Sequence, residues 1–120
     1  MAESERLICA AAELEERGRG VRFALPELGE RVTGFAVRYN GRPWGFVNQC
    51  AHVPVELDWQ EGEFFDMSQE YLICATHGAH YLPDSGLCVM GPCKGRALKL
   101  LELREHDGNI YLQLKDTSHV

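Results

Sequence analysis

The sequence lacks several features that mark broad classes of protein. No apolar run approaches the roughly 20 residues that a membrane-spanning helix needs. Basic residues are few: 12 Lys and Arg stand against 18 Asp and Glu, giving a formal net charge of −6. This charge argues against nucleic acid or an anionic membrane as a partner. The acidic amino-terminal residues lack the layout of a signal peptide. We therefore expect a cytoplasmic protein that binds neither nucleic acid nor membrane.

Cysteine is present in an odd number, which argues against a framework of disulfides. Five thiols in 120 residues fit two metal ligands plus three other thiols better than paired bridges. The three others are Cys9, Cys88 and Cys93. We expect Cys9 to pack as a small buried hydrophobe. Cys88 and Cys93 could form a second redox or metal pair, but ordinary thiols are favoured because no partner histidine stands near them.

Two short motifs combine a thiol with an imidazole. Cys50 and His52 form a C-x-H pair, and Cys74 and His77 form a C-x-x-H pair. Such a set can hold a [2Fe–2S] cluster, with the cysteines on one iron and the histidines on the other. A Zn²⁺ site with the same four ligands is the alternative. We expect His80, three residues beyond His77, to be solvated rather than a ligand.

Short apolar or alternating segments separated by turn residues predict an all-β barrel or sandwich. Asn40-Gly41 and Asp107-Gly108 predict tight hairpin turns. The acidic stretch Asp58–Asp66 predicts a loop whose aromatic residues, Trp59 and Phe64 or Phe65, pack against the body. The predicted strands are Leu7–Cys9, Val21–Leu25, Val32–Tyr39, Pro43–Asn48, Tyr71–Ile73, Leu87–Met90, Ala97–Arg104 and Ile110–Leu114. Two of these strands lead into the ligand pairs, which lets a strand set the direction of a ligand.

From about Phe35 to Tyr111 the chain resembles the Rieske [2Fe–2S] family. The resemblance rests on five features in the family order: a strand ending in C-x-H, a C-x-x-H-G motif, an aromatic residue, a glycine turn and a Gly-Pro loop. Here they are Val47–His52, Cys74–Gly78, Tyr81, Asp84–Gly86 and Gly91-Pro92. The departure is the spacing: residues 53–73, 21 in number, exceed the usual length between the two pairs. Loops absorb such insertions at little entropic cost.

The resemblance implies a single Rieske-type domain over residues 1–120. A β-barrel or sandwich base, residues 5–48 and 96–114, would carry a small cluster-binding subdomain at about 49–95. One [2Fe–2S] cluster per chain would be ligated by Cys50 and Cys74 on one iron and by His52 and His77 on the other. The Gly91-Pro92 loop would cover the cluster.

The resemblance also indicates the type of centre. High-potential members have a disulfide at the positions of Val55 and Thr76 and a hydroxyl at the position of Ala79, so both features are missing here. Hydrogen bonds to the sulfurs raise the potential. We therefore expect a low potential, near the bottom of the roughly −150 to +300 mV Rieske range. Tyr81 keeps a hydroxyl, which could equally serve only as part of an aromatic wall.

The resemblance implies a ferredoxin, a one-electron carrier from a flavin-dependent reductase to a terminal oxygenase or similar acceptor. We expect no enzyme activity in the chain itself, because a Rieske oxygenase needs a second domain with a mononuclear iron site. The alternative is a small electron-transfer subunit of a larger oxidoreductase, like the small subunit of nitrite reductases. Some of those have lost the cluster ligands, so the four ligands present here favour a working centre. The sequence leaves open whether the acidic stretch docks a partner.

Overall fold

The fold is built almost wholly of short antiparallel strands. The computed structural model describes residues 4–26, 28–51, 56–58, 60–74, 78–92 and 94–114. One 3₁₀ turn covers Ala11–Glu13. The ten strands are β1 (Ser4–Ala10), β2 (Val21–Ala24), β3 (Thr33–Tyr39), β4 (Arg42–Val47), β5 (Leu72–Ile73), β6 (His80–Tyr81), β7 (Cys88–Met90), β8 (Leu100–Leu101), β9 (Leu103–His106) and β10 (Asn109–Leu114). The all-β prediction is confirmed.

The strands form three sheets. Their orders are β1-β10-β9, β2-β3-β4-β8 and β5-β6-β7. We call the first two the base sheets and the third the small sheet. Within the described ranges, no helix is long and apolar enough to cross a membrane.

The two predicted hairpin turns are confirmed. Asn40 and Gly41 have φ values of 56° and 77°, and they join β3 to β4. Asp107 and Gly108, at 54° and 76°, join β9 to β10. Positive φ at both central residues matches the twist of the flanking strands. The Glu16 carboxylate accepts hydrogen bonds from the N–H groups of the first turn at 2.7 and 2.8 Å.

The largest apolar cluster joins the base sheet β2-β3-β4-β8 to the acidic stretch and to the small sheet. Phe35 on β3 lies with its ring centroid 3.9 Å from that of Phe64 and 5.7 Å from that of Phe46. All three side chains are fully buried. The prediction that an aromatic residue of the acidic stretch packs against the body is therefore confirmed for Phe64. Trp59 lies outside the described residues.

The predicted strand Ala97–Arg104 is wrong as a single element. Its residues divide between β8, which pairs with β4, and β9, which pairs with β10. The chain passes from one base sheet to the other at Glu102. Its side chains therefore do not follow one inward–outward alternation from Ala97 to Arg104. Leu98 is buried, whereas Leu100 is 57% exposed. Strand β6 was not predicted, because His80-Tyr81 forms neither an apolar run nor an alternating pattern.

Candidate metal centre

The four predicted ligands divide between described and undescribed residues. His52 and His77 lie outside the described residues, as do Val55, Thr76 and Cys93. Cys50 follows the end of β4, and Cys74 directly follows β5. Their exposed fractions are 4% and 0%, and both belong to one cluster of buried side chains. The structure thus brings the two predicted thiol ligands into one core.

Backbone hydrogen bonds close the turn that begins at Cys74. The Cys74 N–H donates to the Ala79 carbonyl at 2.9 Å, and the Gly78 N–H donates to the Cys74 carbonyl at 2.8 Å. The Gly91-Pro92 loop lies against the end of this turn. A Cβ at Gly91 would stand 2.8 Å from the Ala79 Cα, and its φ is +103°. Only glycine allows this close approach.

The Tyr81 hydroxyl contacts the first predicted ligand. Its oxygen lies 3.2 Å from Cys50 Sγ and 3.0 Å from the Ala51 nitrogen. The Ala51 N–H donates to this oxygen, and the hydroxyl keeps its own proton for a second hydrogen bond. A thiolate at Cys50 can only accept, so Tyr81 is then the donor. The hydroxyl is therefore more than part of an aromatic wall, and no local pattern pairs residues 31 positions apart.

His80, predicted to be solvated, is partly buried, with 22% of its side chain exposed, and has contacts at both ring nitrogens. Its Nδ1 lies 2.8 Å from the Gly78 carbonyl oxygen, and its Nε2 lies 3.4 Å from Asp66 Oδ2. Partial burial opposes ionisation of Asp66. Hydrogen bonds from Ser68 and the Tyr71 backbone, together with the charge of His80, outweigh it and lower the pKa of Asp66. His80 thus connects the turn after Cys74 to the acidic stretch.

A buried polar network lies at the end of β4, shortly before Cys50 in the chain. Asn48, 1% exposed, donates from Nδ2 to Asp58 Oδ1 at 3.0 Å, and its Oδ1 accepts the Leu57 N–H at 2.9 Å. Asp58 Oδ2 accepts the Gly62 N–H at 3.0 Å. The Arg22 Nε lies 3.6 Å from the same oxygen. Sequence reasoning missed this network, because an Asn at a strand end and an Asp in an acidic loop both suggest solvent-facing residues.

The other cysteines differ in their surroundings. Cys9 is buried in a base cluster, as predicted, and burial raises its pKa to about 11, with Glu13 adding to the shift. Cys88 lies on β7 in the same cluster as Cys50 and Cys74, and its Sγ donates to the Met90 carbonyl at 3.3 Å.

The donors present fit a thiolate-bound cluster. Two buried thiols share a core, and a hydroxyl aims at one sulfur, which suits charge that must be held away from water. Among the described residues, no group of three or more Cys, His, Asp or Glu side chains could hold a metal ion. Half of the predicted ligand set lies outside those residues.

The family model of the Rieske [2Fe-2S] domain matches residues 5–110. No curated protein matches the chain. Among solved structures, the terminal oxygenase of carbazole 1,9a-dioxygenase from Novosphingobium sp. KA1 is 26% identical, with a TM-score of 0.76. The match covers 94% of this chain but only 30% of the oxygenase chain.

Smaller proteins match over nearly their whole length. The ferredoxin of carbazole 1,9a-dioxygenase from Nocardioides aromaticivorans IC177 is 17% identical, with a TM-score of 0.73 over 93% of this chain and 99% of its own. A chain in the complex of reduced oxygenase and oxidized ferredoxin of carbazole 1,9a-dioxygenase is 18% identical, with a TM-score of 0.71. That match covers 90% of this chain and 91% of that one. At these identities the likeness establishes the fold.

Proposed function

The chain belongs to the Rieske [2Fe-2S] domain family, and we propose that it acts as a one-electron carrier of the ferredoxin type. The observation that carries this proposal is the pair of buried thiols, Cys50 and Cys74, in one core with the Tyr81 hydroxyl against the first. When bound, a [2Fe–2S] cluster takes up and releases one electron. The protein's part is to hold the ligands in place and to keep water away from the sulfurs.

We propose that Cys50 and Cys74 ligate one iron and that His52 and His77 ligate the other, with one cluster per chain. Residues 49–95 would form the cluster-binding subdomain within the base formed by residues 5–48 and 96–114. The sheet composition supports this division. The small sheet and both thiols come from the inner range, whereas the base sheets come from the outer ranges.

Tyr81 bears on the reduction potential. A hydrogen bond from its hydroxyl to the Cys50 sulfur stabilises the additional negative charge of the reduced state. Ala79 supplies no such donor, since it lacks a hydroxyl. We therefore expect a potential above that of a centre with neither donor and below that of a centre with both.

We propose a flavin-dependent reductase as the electron donor and a terminal oxygenase, or a similar redox protein, as the acceptor. Support comes from the likeness of this fold to both the ferredoxin and the oxygenase of carbazole dioxygenases. The net charge of −6 suits docking to a basic surface on such partners.

The test of the cluster is an EPR spectrum of dithionite-reduced protein from iron-supplied cells, with iron and sulfide assays. We expect two irons and two sulfides per chain, and a mean g value below that of an all-cysteine [2Fe–2S] cluster. Colourless protein that contains zinc would show that the ligands were identified correctly and the metal wrongly. The electron-carrier proposal would then fail.

The test of the acceptor is anaerobic mixing of the reduced protein with a purified ring-hydroxylating oxygenase. We expect rapid reoxidation of the carrier, observed in the visible absorbance. The control is the same oxygenase already reduced, which cannot accept another electron at its Rieske centre. Equal rates with both samples would remove the oxygenase from the proposal and leave the carrier.

A further inference from the structure

The acidic stretch Asp58–Asp66 contains carboxylates of two kinds. Glu61 and Glu63 are exposed to solvent. The side chain of Asp58, in contrast, is 0% exposed. An isolated buried carboxylate is costly, so its position needs a reason beyond solubility.

Asp58 belongs to a hydrogen-bonded unit that includes the end of β4. The side-chain amide of Asn48 uses both of its polar atoms, donating to Asp58 and accepting from the Leu57 N–H. The second carboxylate oxygen accepts the Gly62 N–H. We call these three hydrogen bonds, made by the Asn48 and Asp58 side chains, the clasp. All three measure 2.9 or 3.0 Å, near the optimum for N–H···O bonds.

The clasp is anchored to the base sheets. The Gly20 N–H donates to the Gly62 carbonyl at 2.8 Å. A Cβ at Gly62 would lie 3.0 Å from the Gly20 carbonyl oxygen, and one at Gly20 would lie 2.8 Å from the Ala36 carbonyl oxygen. The backbones of Gly20 and Gly62 therefore approach too closely for a side chain at either position. The clasp is thus connected both to the end of β4 and to the segment just before β2.

Cys50 stands two residues after Asn48. We propose that the clasp positions the Cys50 thiol, so that Asn48 and Asp58 are positioning residues of the electron-transfer centre. This inference rests on the proposed function. Within the acidic stretch, Asp58 then has an internal positioning role, whereas Glu61 and Glu63 face solvent.

Hydrogen bonds suit a positioning role because they are directional. A buried ionised side chain is weak evidence for stability, since apolar residues of similar size often stabilise as well or better. Hydrogen bonds instead specify one geometry, and a redox ligand must be held to a fraction of an ångström. The clasp therefore fixes the path of the chain after β4, at a cost in stability relative to apolar side chains of similar size.

Exchange of the two side chains provides the decisive test. In Asp58→Asn, one carboxylate oxygen is replaced by an NH2 group. In every orientation of the two side-chain amides, one NH2 group then faces another donor, which is the other amide or the N–H of Leu57 or Gly62. In Asn48→Asp, two carboxylates face each other. In the double variant Asn48→Asp, Asp58→Asn, the carboxylate at position 48 accepts from Leu57 and from the new amide, whose oxygen accepts from Gly62. All three hydrogen bonds are retained, while the single negative charge moves from position 58 to position 48, so that a neutral amide faces Arg22.

The matched control is Glu61→Gln, which removes the same charge from an exposed position of the same stretch. All four variants and the parent chain would be prepared with iron. Amide hydrogen exchange by mass spectrometry follows peptides covering residues 48–51 and 56–62. EPR g values and the reduction potential report the geometry and electronics of the centre.

We expect exchange to accelerate about tenfold or more in both single variants, because a buried donor or acceptor is left unmatched. Their EPR g values should shift or broaden. The double variant should return both readouts to those of the parent, and Glu61→Gln should leave both unchanged. If the single variants fail to fold, a double variant with the parent spectrum supports the clasp, and one that also fails overturns it.

Two results would overturn the positioning role. One is single variants that are less stable but keep the parent g values and potential, since the side chains would then be structural only. The other is a double variant as defective as the singles. If the parent itself holds no cluster, the proposed function fails, and with it the redox role. The exchange data would still show whether the clasp exists.

Discussion

The base sheets and the small sheet achieve order in different ways. In the base sheets, β1 and β3 have seven residues and β10 has six, so ladder hydrogen bonds and alternating apolar faces determine the pairing. In the small sheet, β5 and β6 have two residues and β7 has three. Side chains make up for the short ladder: Tyr81 binds Ala51, and His80 binds Gly78 and Asp66. The region proposed to hold the cluster therefore depends most on particular polar contacts.

The largest expected effect comes from the aromatic cluster that the two regions share. Phe35→Ala removes a fully buried ring stacked on Phe64, and we expect a loss of about 3–5 kcal/mol in the free energy of unfolding. Urea denaturation measures it. Leu7→Ala, at a position 56% exposed, is the control and should cost at most about 0.5 kcal/mol. A loss of stability equal to the control would mean that the two regions do not share a core.

Tyr81→Phe tests whether a polar contact of the small sheet affects the reduction potential. It removes the hydroxyl 3.2 Å from Cys50 Sγ and should lower the reduction potential by tens of millivolts, because one sulfur loses a hydrogen bond worth roughly 1 kcal/mol. Protein-film voltammetry gives the value. Tyr39→Phe, at the far end of β3, should leave the potential unchanged. Equal potentials for the Tyr81 variant and the parent would reduce that residue to an aromatic wall.

Asp66 should make the stability of the small-sheet region sensitive to acid. Because the pKa of Asp66 is lowered in the folded state, its contribution is present above the unfolded pKa of about 3.9 and is lost as the pH falls through the folded value. Asp66→Asn should cost about 1 kcal/mol at pH 7, with the difference from the parent vanishing in acid. Urea midpoints between pH 7 and pH 2 test this, with Glu61→Gln as control. A constant difference at all pH values would contradict it.

The smallest effect is expected in the base sheets, at His106. Hydrogen bonds to Asp107 and Glu5 raise the pKa of His106. Any contribution to stability is therefore present below the ordinary pKa of about 6.5 and lost as the pH rises through the folded value. An NMR titration of the ring should show a midpoint above the ordinary value, and Asp107→Asn should lower it. The EPR spectrum should not change. A changed EPR spectrum would show that the base sheets affect the metal centre more strongly than the contacts of His106 indicate.

Much of the fold followed from local sequence, because its determinants are local. Asn40-Gly41 and Asp107-Gly108 accept positive φ wherever they occur, and alternating apolar residues pair with a partner strand of the same kind. The sequence could not show that the chain changes sheets at Glu102, since the closely spaced leucines of residues 98–103 suit either one strand or two.

The residue types and spacing of the two thiol–imidazole pairs were enough to determine the family and to nominate Cys50 and Cys74, because metal chemistry selects its donors by type. The tertiary structure alone decided what surrounds them. The Tyr81 hydroxyl at Cys50 joins residues 31 positions apart, and the Asn48–Asp58 bond joins residues 10 apart. Polar side chains in loops are assigned to solvent by any local pattern. Only the folded chain shows which of them are buried, because burial depends on contacts between distant segments.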